Sequence, residues 1–253
     1  MKVTFLGTGT SQGVPVIGCT CEVCRSLDFR DKRLRTSILI EVAEQAFVID
    51  TGPDFRQQML REQVKRIDAV IFTHAHRDHT AGLDDVRAYN FIQKMDMPVY
   101  GTSQVLEQLK VEYAYAFATE YYPGIPRLSL NVIDGEDFRV NGVSFTPLPV
   151  MHLHLPVLGF RVGNFSYITD AKSIPQKTID KLAGTEILVL NALQREQHIS
   201  HLNLSEALEM VETIRPRLTY FTHISHKMGL QADVEKELPD HVSLAFDGLQ
   251  INL

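Results

Sequence analysis

No stretch of the 253-residue chain approaches the roughly 18 uninterrupted apolar residues of a membrane-spanning helix, which argues against that class. The opening run Met1-Lys2-Val3-Thr4-Phe5-Leu6-Gly7 is too short an apolar stretch for a signal peptide, and no small-residue cleavage site follows it. A cytoplasmic location is therefore expected, with no membrane partner. Basic residues are not in excess: 25 Lys and Arg stand against 31 Asp and Glu, a net charge of -6. That balance disfavours a generic polyanion binder, and nucleic acid beyond small nucleotides, while leaving room for a small phosphorylated substrate held by local cations. Cysteine is scarce. Three is an odd number for a disulfide framework, and all three fall within Cys19-Thr20-Cys21-Glu22-Val23-Cys24. Neighbours that close, without a secretion signal, read as thiolate metal ligands, with free buried thiols as the alternative. No low-complexity tract or short repeat is present.

What remains is an ordinary globular composition, 44% apolar and 22% charged. Short runs rich in β-branched residues predict strands at Val3–Leu6, Ser37–Val42, Gln45–Asp50 and Ala69–Thr73. The strand pattern resumes at Leu130–Ile133, Phe138–Val140, Val143–Leu148, Leu158–Val162, Phe165–Thr169, Ile187–Leu190 and Leu218–Thr222. Helices are predicted over Asp54–Glu62, Asp84–Lys94, Ser103–Ala118, Pro175–Leu182 and Leu204–Ile214. The last has a capping-box start at Asn203 and Glu206, a stop before Pro216, and a buried stripe of Leu204, Ala207, Leu208, Val211 and Ile214. Tyr121–Arg127, with two prolines and a glycine, reads as a connector too short for a flexible linker. Strands with helices in both halves suggest two sheets face to face, each covered outside by helices, and residues 1–253 as one domain.

The chemistry starts at Thr73-His74-Ala75-His76-Arg77-Asp78-His79. The apolar strand Ala69-Val70-Ile71-Phe72 delivers these residues to a loop at its carboxyl end. Imidazole nitrogen and carboxylate oxygen suit zinc, iron or manganese. Four such donors within six positions cannot all face one ion, so the two histidines two apart and the adjacent Asp-His pair suggest two. Further donors follow predicted strands: His152, Asp170 and His223.

This pattern, Thr-His-x-His-x-Asp-His with a later His, Asp and His at strand ends, resembles the metallo-β-lactamase superfamily. The likeness implies an α/β (α+β) fold, the four-layer αββα sandwich. It implies that His74, His76 and His152 hold one metal, that Asp78, His79 and His223 hold a second, and that Asp170 bridges them. Asp50, in Phe47-Val48-Ile49-Asp50-Thr51-Gly52, matches the early aspartate expected to orient a ligand histidine from behind. A carboxylate at 170, where a thiolate would suggest a β-lactamase, is similar to the phosphodiesterase and glyoxalase branches. It can bridge cations about 3.5–4 Å apart, as two-metal displacement at phosphorus requires.

Three further features resemble the PhnP-like subgroup of cyclic phosphodiesterases. The first is Gly7-Thr8-Gly9-Thr10-Ser11-Gln12-Gly13-Val14-Pro15, whose glycine spacing misses the dinucleotide fingerprint and on its own reads as a flexible loop. The second is the cysteine run joined to Thr222-His223-Ile224-Ser225-His226, which implies a structural zinc on Cys19, Cys21, Cys24 and His226. The third is His198-Ile199-Ser200-His201, where His201 matches a histidine that acts on the phosphate or its leaving group. His198 and His154 are weaker members, with solvent-facing side chains as the alternative. Arg77 fills a variable slot, either binding a second phosphate or pairing with Asp84 or Asp85. The expected enzyme is a metal-dependent phosphodiesterase acting on a small cyclic or diester phosphate by a two-metal hydroxide mechanism. Candidate substrates are a ribosyl 1,2-cyclic phosphate or a 2′,3′-cyclic nucleotide. His201 and Asp78 are its catalytic residues, two zinc or manganese ions its catalytic metals, and one zinc its structural ion. A tRNA 3′-processing nuclease, a glyoxalase II-like thioester hydrolase and a non-catalytic accessory protein are the rivals. A homodimer stays open.

Overall fold

The computed structural model describes residues 1–118 and 123–253, so the start of the Tyr121–Arg127 connector lies outside the described residues. In chain order the elements are β1 (Lys2–Gly7), α1 (Glu22–Arg25), β2 (Ser37–Val42), β3 (Gln45–Ile49), α2 (Phe55–Arg61), β4 (Ala69–Ile71), α3 (Arg77–Thr80), α4 (Arg87–Gln93), β5 (Met97–Gly101) and α5 (Ser103–Glu112). There follow β6 (Leu128–Val132), β7 (Phe138–Val140), β8 (Val143–His152), β9 (Leu155–Val162), β10 (Phe165–Tyr167), α6 (Gln176–Lys181), β11 (Ile187–Asn191), α7 (Leu204–Ile214), β12 (Leu218–Thr222), α8 (Gln231–Val234), β13 (Val242–Leu244) and β14 (Gln250–Asn252).

The strands form two seven-stranded sheets, ordered β14-β1-β2-β3-β4-β5-β6 and β13-β12-β11-β10-β9-β8-β7. Each is antiparallel at one end and parallel at the other, with β3 to β6 and β10 to β13 running parallel. The sheets face each other through Val3, Phe5, Phe47, Ile49, Phe160, Phe165, Tyr167 and Val189. Helices cover both outer faces. Phe55, Met59, Leu106 and Leu109 lie on Val48 and Val70, and Leu204, Ala207 and Val211 lie on Leu188 and Leu190. Alternate residues of a strand therefore enter different apolar layers, as Val189 and Leu188 do. That is why these strands read as unbroken apolar runs instead of alternating ones. Each aliphatic side chain buried this way contributes about 1.5–3 kcal/mol.

The αββα expectation holds, and β2, β7, β12 and α7 match their predicted limits. The capping box forms as read: Asn203 Oδ1 accepts from Glu206 N at 2.9 Å, and Glu206 Oε2 from Asn203 N at 3.0 Å. Of its predicted stripe Leu204, Ala207 and Val211 are buried, while Leu208 and Ile214 pack at the margin.

Elsewhere the structure departs from the sequence reading. β8 runs on to His152, through Pro147 and Pro149, because beyond Phe145 it has a strand partner on one side only. On the free side the carbonyls of those prolines accept from Lys181 Nζ at 3.2 Å and Thr178 Oγ1 at 2.5 Å. β5 is a strand the sequence did not announce, since Pro98 reads as a breaker. Its pairing with β4 begins only at Val70 opposite Val99, so the missing N–H falls outside the ladder. The predicted helix Ser103–Ala118 breaks at Tyr113 into a 3-10 turn, Ala114–Phe117. Asp84–Lys94 likewise divides into a 3-10 turn, Leu83–Val86, and α4. The glycine-rich opening is not a flexible loop. Gly9 N donates to Leu34 O at 2.7 Å and Thr10 N to Ile224 O at 3.1 Å, and a Cβ at Gly7 would collide with the Arg35 carbonyl. No helix among the described residues is long and apolar enough to cross a membrane.

Candidate metal centre

β3, β4, β8, β10 and β12 point the same way, so Asp50, His74, His152, Asp170 and His223 emerge at one edge of the sandwich. Three of them turn sharply. Asp50, Asp170 and His223 adopt φ of 65°, 58° and 56°, a left-handed conformation costing a non-glycine residue on the order of 1 kcal/mol. Such strain at three strand ends turns the side chains toward one another at the sandwich edge.

Asp50, fully buried, is the frame behind the centre. Its Oδ1 accepts from Thr73 N at 2.9 Å, and its Oδ2 from Thr73 Oγ1 at 2.8 Å and His79 Nδ1 at 2.7 Å. Burial pushes its carboxyl up, against the pull of His79. With Nδ1 committed to Asp50, His79 presents Nε2 to Asp170 Oδ2 at 3.3 Å and Asp78 Oδ2 at 3.4 Å. Burial opposes a charge on His79, yet Asp170, Asp50 and Asp78 together hold it well above the usual range. His223 Nε2 stands 3.2 Å from Asp170 Oδ1 and 3.8 Å from Asp78 Oδ2. Against the opposing effect of burial, His223 and His79 hold the Asp170 carboxylate well below its ordinary range.

Asp78, His79 and His223 bring their donor atoms within 4.8 Å of one another, as do His74, His79 and Asp170. A third group converges equally, His152, Asp170 and His201. The expected trio of His74, His76 and His152 is a row of rings: the His74–His76 centroids are 4.6 Å apart and those of His76 and His152 5.2 Å. His152 is oriented by the Ser200 carbonyl, 2.8 Å from its Nδ1, and His74 by Thr73 Oγ1 at 2.9 Å. Nε2 of His74, Nε2 of His79 and both ring nitrogens of His223 are buried without a hydrogen-bond partner among the described residues. Orphaned nitrogens each cost about 1–3 kcal/mol. Several of them turned toward two carboxylates make a donor set that fits divalent cations.

His201 lies over this centre, its ring 4.5 Å from that of His152 and 4.8 Å from that of His223. Burial, then the nearby His223, push it down to about 3. The ring is therefore neutral, and an arriving phosphate's negative charge is what would favour its protonated form. His198 is half-buried beside it, centroids 5.2 Å apart, whereas His154 is exposed. Arg77 turns to Glu112, its Nη1 2.8 Å from Oε2, and reaches neither Asp84 nor Asp85. Asp84 instead meets Arg87 and the Tyr115 hydroxyl.

The second cluster is built by docking the N-terminal loop beside Ile224. Sγ of Cys19 and Cys21 each lie 3.3 Å from His226 Nδ1, and that of Cys24 3.5 Å. The Cys24 backbone N–H draws the Cys21 thiol down to about 6, while burial pushes Cys24 up to about 11. Three sulfurs and one imidazole nitrogen, all within 4.8 Å, are a closed set that suits zinc, whose charge would keep every thiol ionised.

Sequence reasoning missed the supports: Thr73, the Ser200 carbonyl, and Thr169, whose hydroxyl donates to Asp170 Oδ2 at 2.6 Å. Thr73 and Thr169 directly precede donors, and that adjacency was the available signal.

A beta-lactamase superfamily domain model matches residues 45–224. An octanoyltransferase of Porphyromonas gingivalis is 38% identical over 253 residues, 99% of this chain and 51% of the relative. The chain thus spans about half that protein's length. A ribonuclease Z of Mycolicibacterium gilvum is 27% identical over 244 residues, 88% of this chain and 77% of that one. The crystal structure of a diphosphatase from the PhnP family superposes with a TM-score of 0.93 at 38% identity, covering 99% of this chain and 96% of the other.

Proposed function

The chain belongs to the metallo-β-lactamase superfamily as a PhnP-like hydrolase, and from that we propose a metal-dependent phosphodiesterase for a small cyclic or diester phosphate. The observation that carries the reading is Asp170. One oxygen faces His223 and the other His79, with the His152–His201 group on its flank. A carboxylate shared between donor groups is what a bridged pair of cations requires. His74, His76 and His152 would hold one ion, Asp78, His79 and His223 the other. Zinc or manganese bound there would supply Lewis acidity and a water acidified towards neutral pH.

The chain's own residues do the rest. Asp50 fixes the His79 tautomer that leaves Nε2 available. The Ser200 carbonyl fixes the His152 ring. His201 holds a proton at the phosphoryl or leaving oxygen once the substrate's negative charge offsets its burial. Cys19, Cys21, Cys24 and His226 would hold a structural zinc that ties the N-terminal loop to the strand end bearing His223.

A second reading, hydrolysis of a phosphoric anhydride, is favoured by the diphosphatase relative. Both reactions displace an oxygen from phosphorus and use the same residues. We assign the octanoyl-transfer name of the Porphyromonas relative to the half this chain does not span. Metal-loaded protein assayed on bis(p-nitrophenyl) phosphate tests the class. A panel of ribosyl 1,2-cyclic phosphate, a 2′,3′-cyclic nucleotide, a nucleoside diphosphate and an octanoyl thioester then separates the readings. Turnover of the thioester alone would refute both phosphorus readings.

A further inference from the structure

Asp78 and His79 sit on α3, a helix of four residues. One turn of helix cannot hold itself, since the cost of ordering it exceeds what its few internal bonds return. On one flank the backbone braces it: Thr51 N donates to His79 O at 2.8 Å, and Gly52 packs so closely on the Asp78 carbonyl that a Cβ there would collide. The other flank is braced by the C-terminal end of α5. Glu112 Oε2 accepts from Arg77 Nη1 at 2.8 Å and shares the Thr80 hydroxyl with the His76 carbonyl, each 3.3 Å from Thr80 Oγ1. The second Glu112 oxygen accepts from Gln108 Nε2 at 3.0 Å, so the carboxylate is fixed from both sides. Tyr113, buried, donates its hydroxyl to the Thr80 carbonyl at 2.7 Å, and Tyr115 donates to Asp84 just beyond α3.

We infer that Glu112 and Tyr113 are positioning residues for the turn bearing Asp78 and His79, and that Arg77 serves this clamp and not the substrate. The inference rests on reading Asp78 and His79 as metal ligands. An exposed Arg–Glu pair contributes little by itself. Here the Glu112 side chain is only 10% exposed, against 65% for Arg77, and it is shared with Thr80. α5 is a rigid support, anchored by Val105, Leu106 and Leu109 in the apolar layer under the first sheet. The break of that helix at Tyr113 acquires a reason: it swings the phenol onto Thr80.

The test compares Glu112→Ala, Glu112→Gln, Arg77→Ala, Tyr113→Phe and the Arg77→Ala/Glu112→Ala double variant. Cobalt and zinc affinities are read by competition with a chromophoric chelator, and KM and kcat on bis(p-nitrophenyl) phosphate. Glu112→Ala and Tyr113→Phe should each weaken the more loosely held catalytic ion by about tenfold. Glu112→Gln, whose amide oxygen still accepts, should bind metal like wild type. The double variant should lose no more than Glu112→Ala, and Arg77→Ala should leave KM unchanged. Should Glu112→Ala fail to fold, Tyr113→Phe carries the test, since it removes one hydroxyl only. Metal affinity within twofold of wild type in both Glu112→Ala and Tyr113→Phe would overturn the clamp. A severalfold rise in KM for Arg77→Ala at wild-type metal affinity would overturn it too, by making Arg77 a substrate residue. Wild-type protein that binds no catalytic metal would overturn both the clamp and the ligand reading beneath it.

Discussion

Replacing Asp50 by Asn removes one charge and almost no volume, and so isolates what the buried carboxylate does for His79. The carboxylate accepts three hydrogen bonds, two on Oδ2 and one on Oδ1. An amide can orient itself in two ways. With its oxygen at the Oδ2 position it keeps Thr73 Oγ1 and His79 but sets its NH2 against the Thr73 N–H, donor against donor. With its oxygen at the Oδ1 position it presents NH2 to His79 Nδ1. That favours the tautomer with the proton on Nε2, the nitrogen that faces Asp170 and Asp78. Either arrangement costs about 1–3 kcal/mol, the penalty of one buried unsatisfied donor. The expected loss of metal affinity is about 10–100-fold, typical for partners that orient a ligating histidine. The assay is chelator competition with zinc, alongside circular dichroism to establish that the variant is folded. A folded Asp50→Asn protein that binds zinc within twofold of wild type would show that Asp50 does not position His79 as a ligand.

Three further outcomes are expected. His201→Ala should lower phosphodiester turnover at least about 100-fold with metal content unchanged, and undiminished turnover would remove His201 from the mechanism. Cys21→Ser should reduce bound zinc by one equivalent and lower Tm by about 4–8 °C for a loss of about 2 kcal/mol; an unaltered zinc count would rule out the Cys19, Cys21, Cys24 and His226 site. The Asp247 side chain is only 7% exposed, and its desolvation pushes the carboxyl up to about 6, above the 3.8 of a free carboxyl. Between those values the native protein keeps a proton that the unfolded chain releases, so this stabilisation is full below about pH 4 and is lost as pH rises through 6. Urea melts from pH 4 to 7 should show wild type losing up to about 3 kcal/mol relative to Asp247→Asn. Parallel pH profiles for the two proteins would count against it.

How much of this was legible in the sequence depended on whether the deciding interactions are local. α7 shows its own limits through the Asn203–Glu206 box, and β2 its extent through a β-branched run, whereas the Ala43–Glu44 turn after it, at φ of 50° and 62°, holds no residue that announces it. β5 and the second half of β8 were hidden by prolines, whose cost disappears only when the neighbouring edge is known. β13 and β14, three residues each, carry too little pattern to stand out. The cluster from His74 to His79 was plain because its donors lie within six positions. The shared position of Asp170 came through the family resemblance alone, since the strand ends bearing His74, His152 and His223 that converge on it lie far apart in the chain. Arg77 illustrates the limit: its carboxylate lies 35 residues away on another helix, and no periodicity points there.

Metal-dependent hydrolysis at phosphorus is put to the test by turnover of bis(p-nitrophenyl) phosphate with protein stripped of metal and reloaded. Release of p-nitrophenol is expected with zinc, manganese or nickel, with its loss on chelation and its return on adding metal. No turnover with any of the three ions, by folded protein that has taken them up, would contradict it.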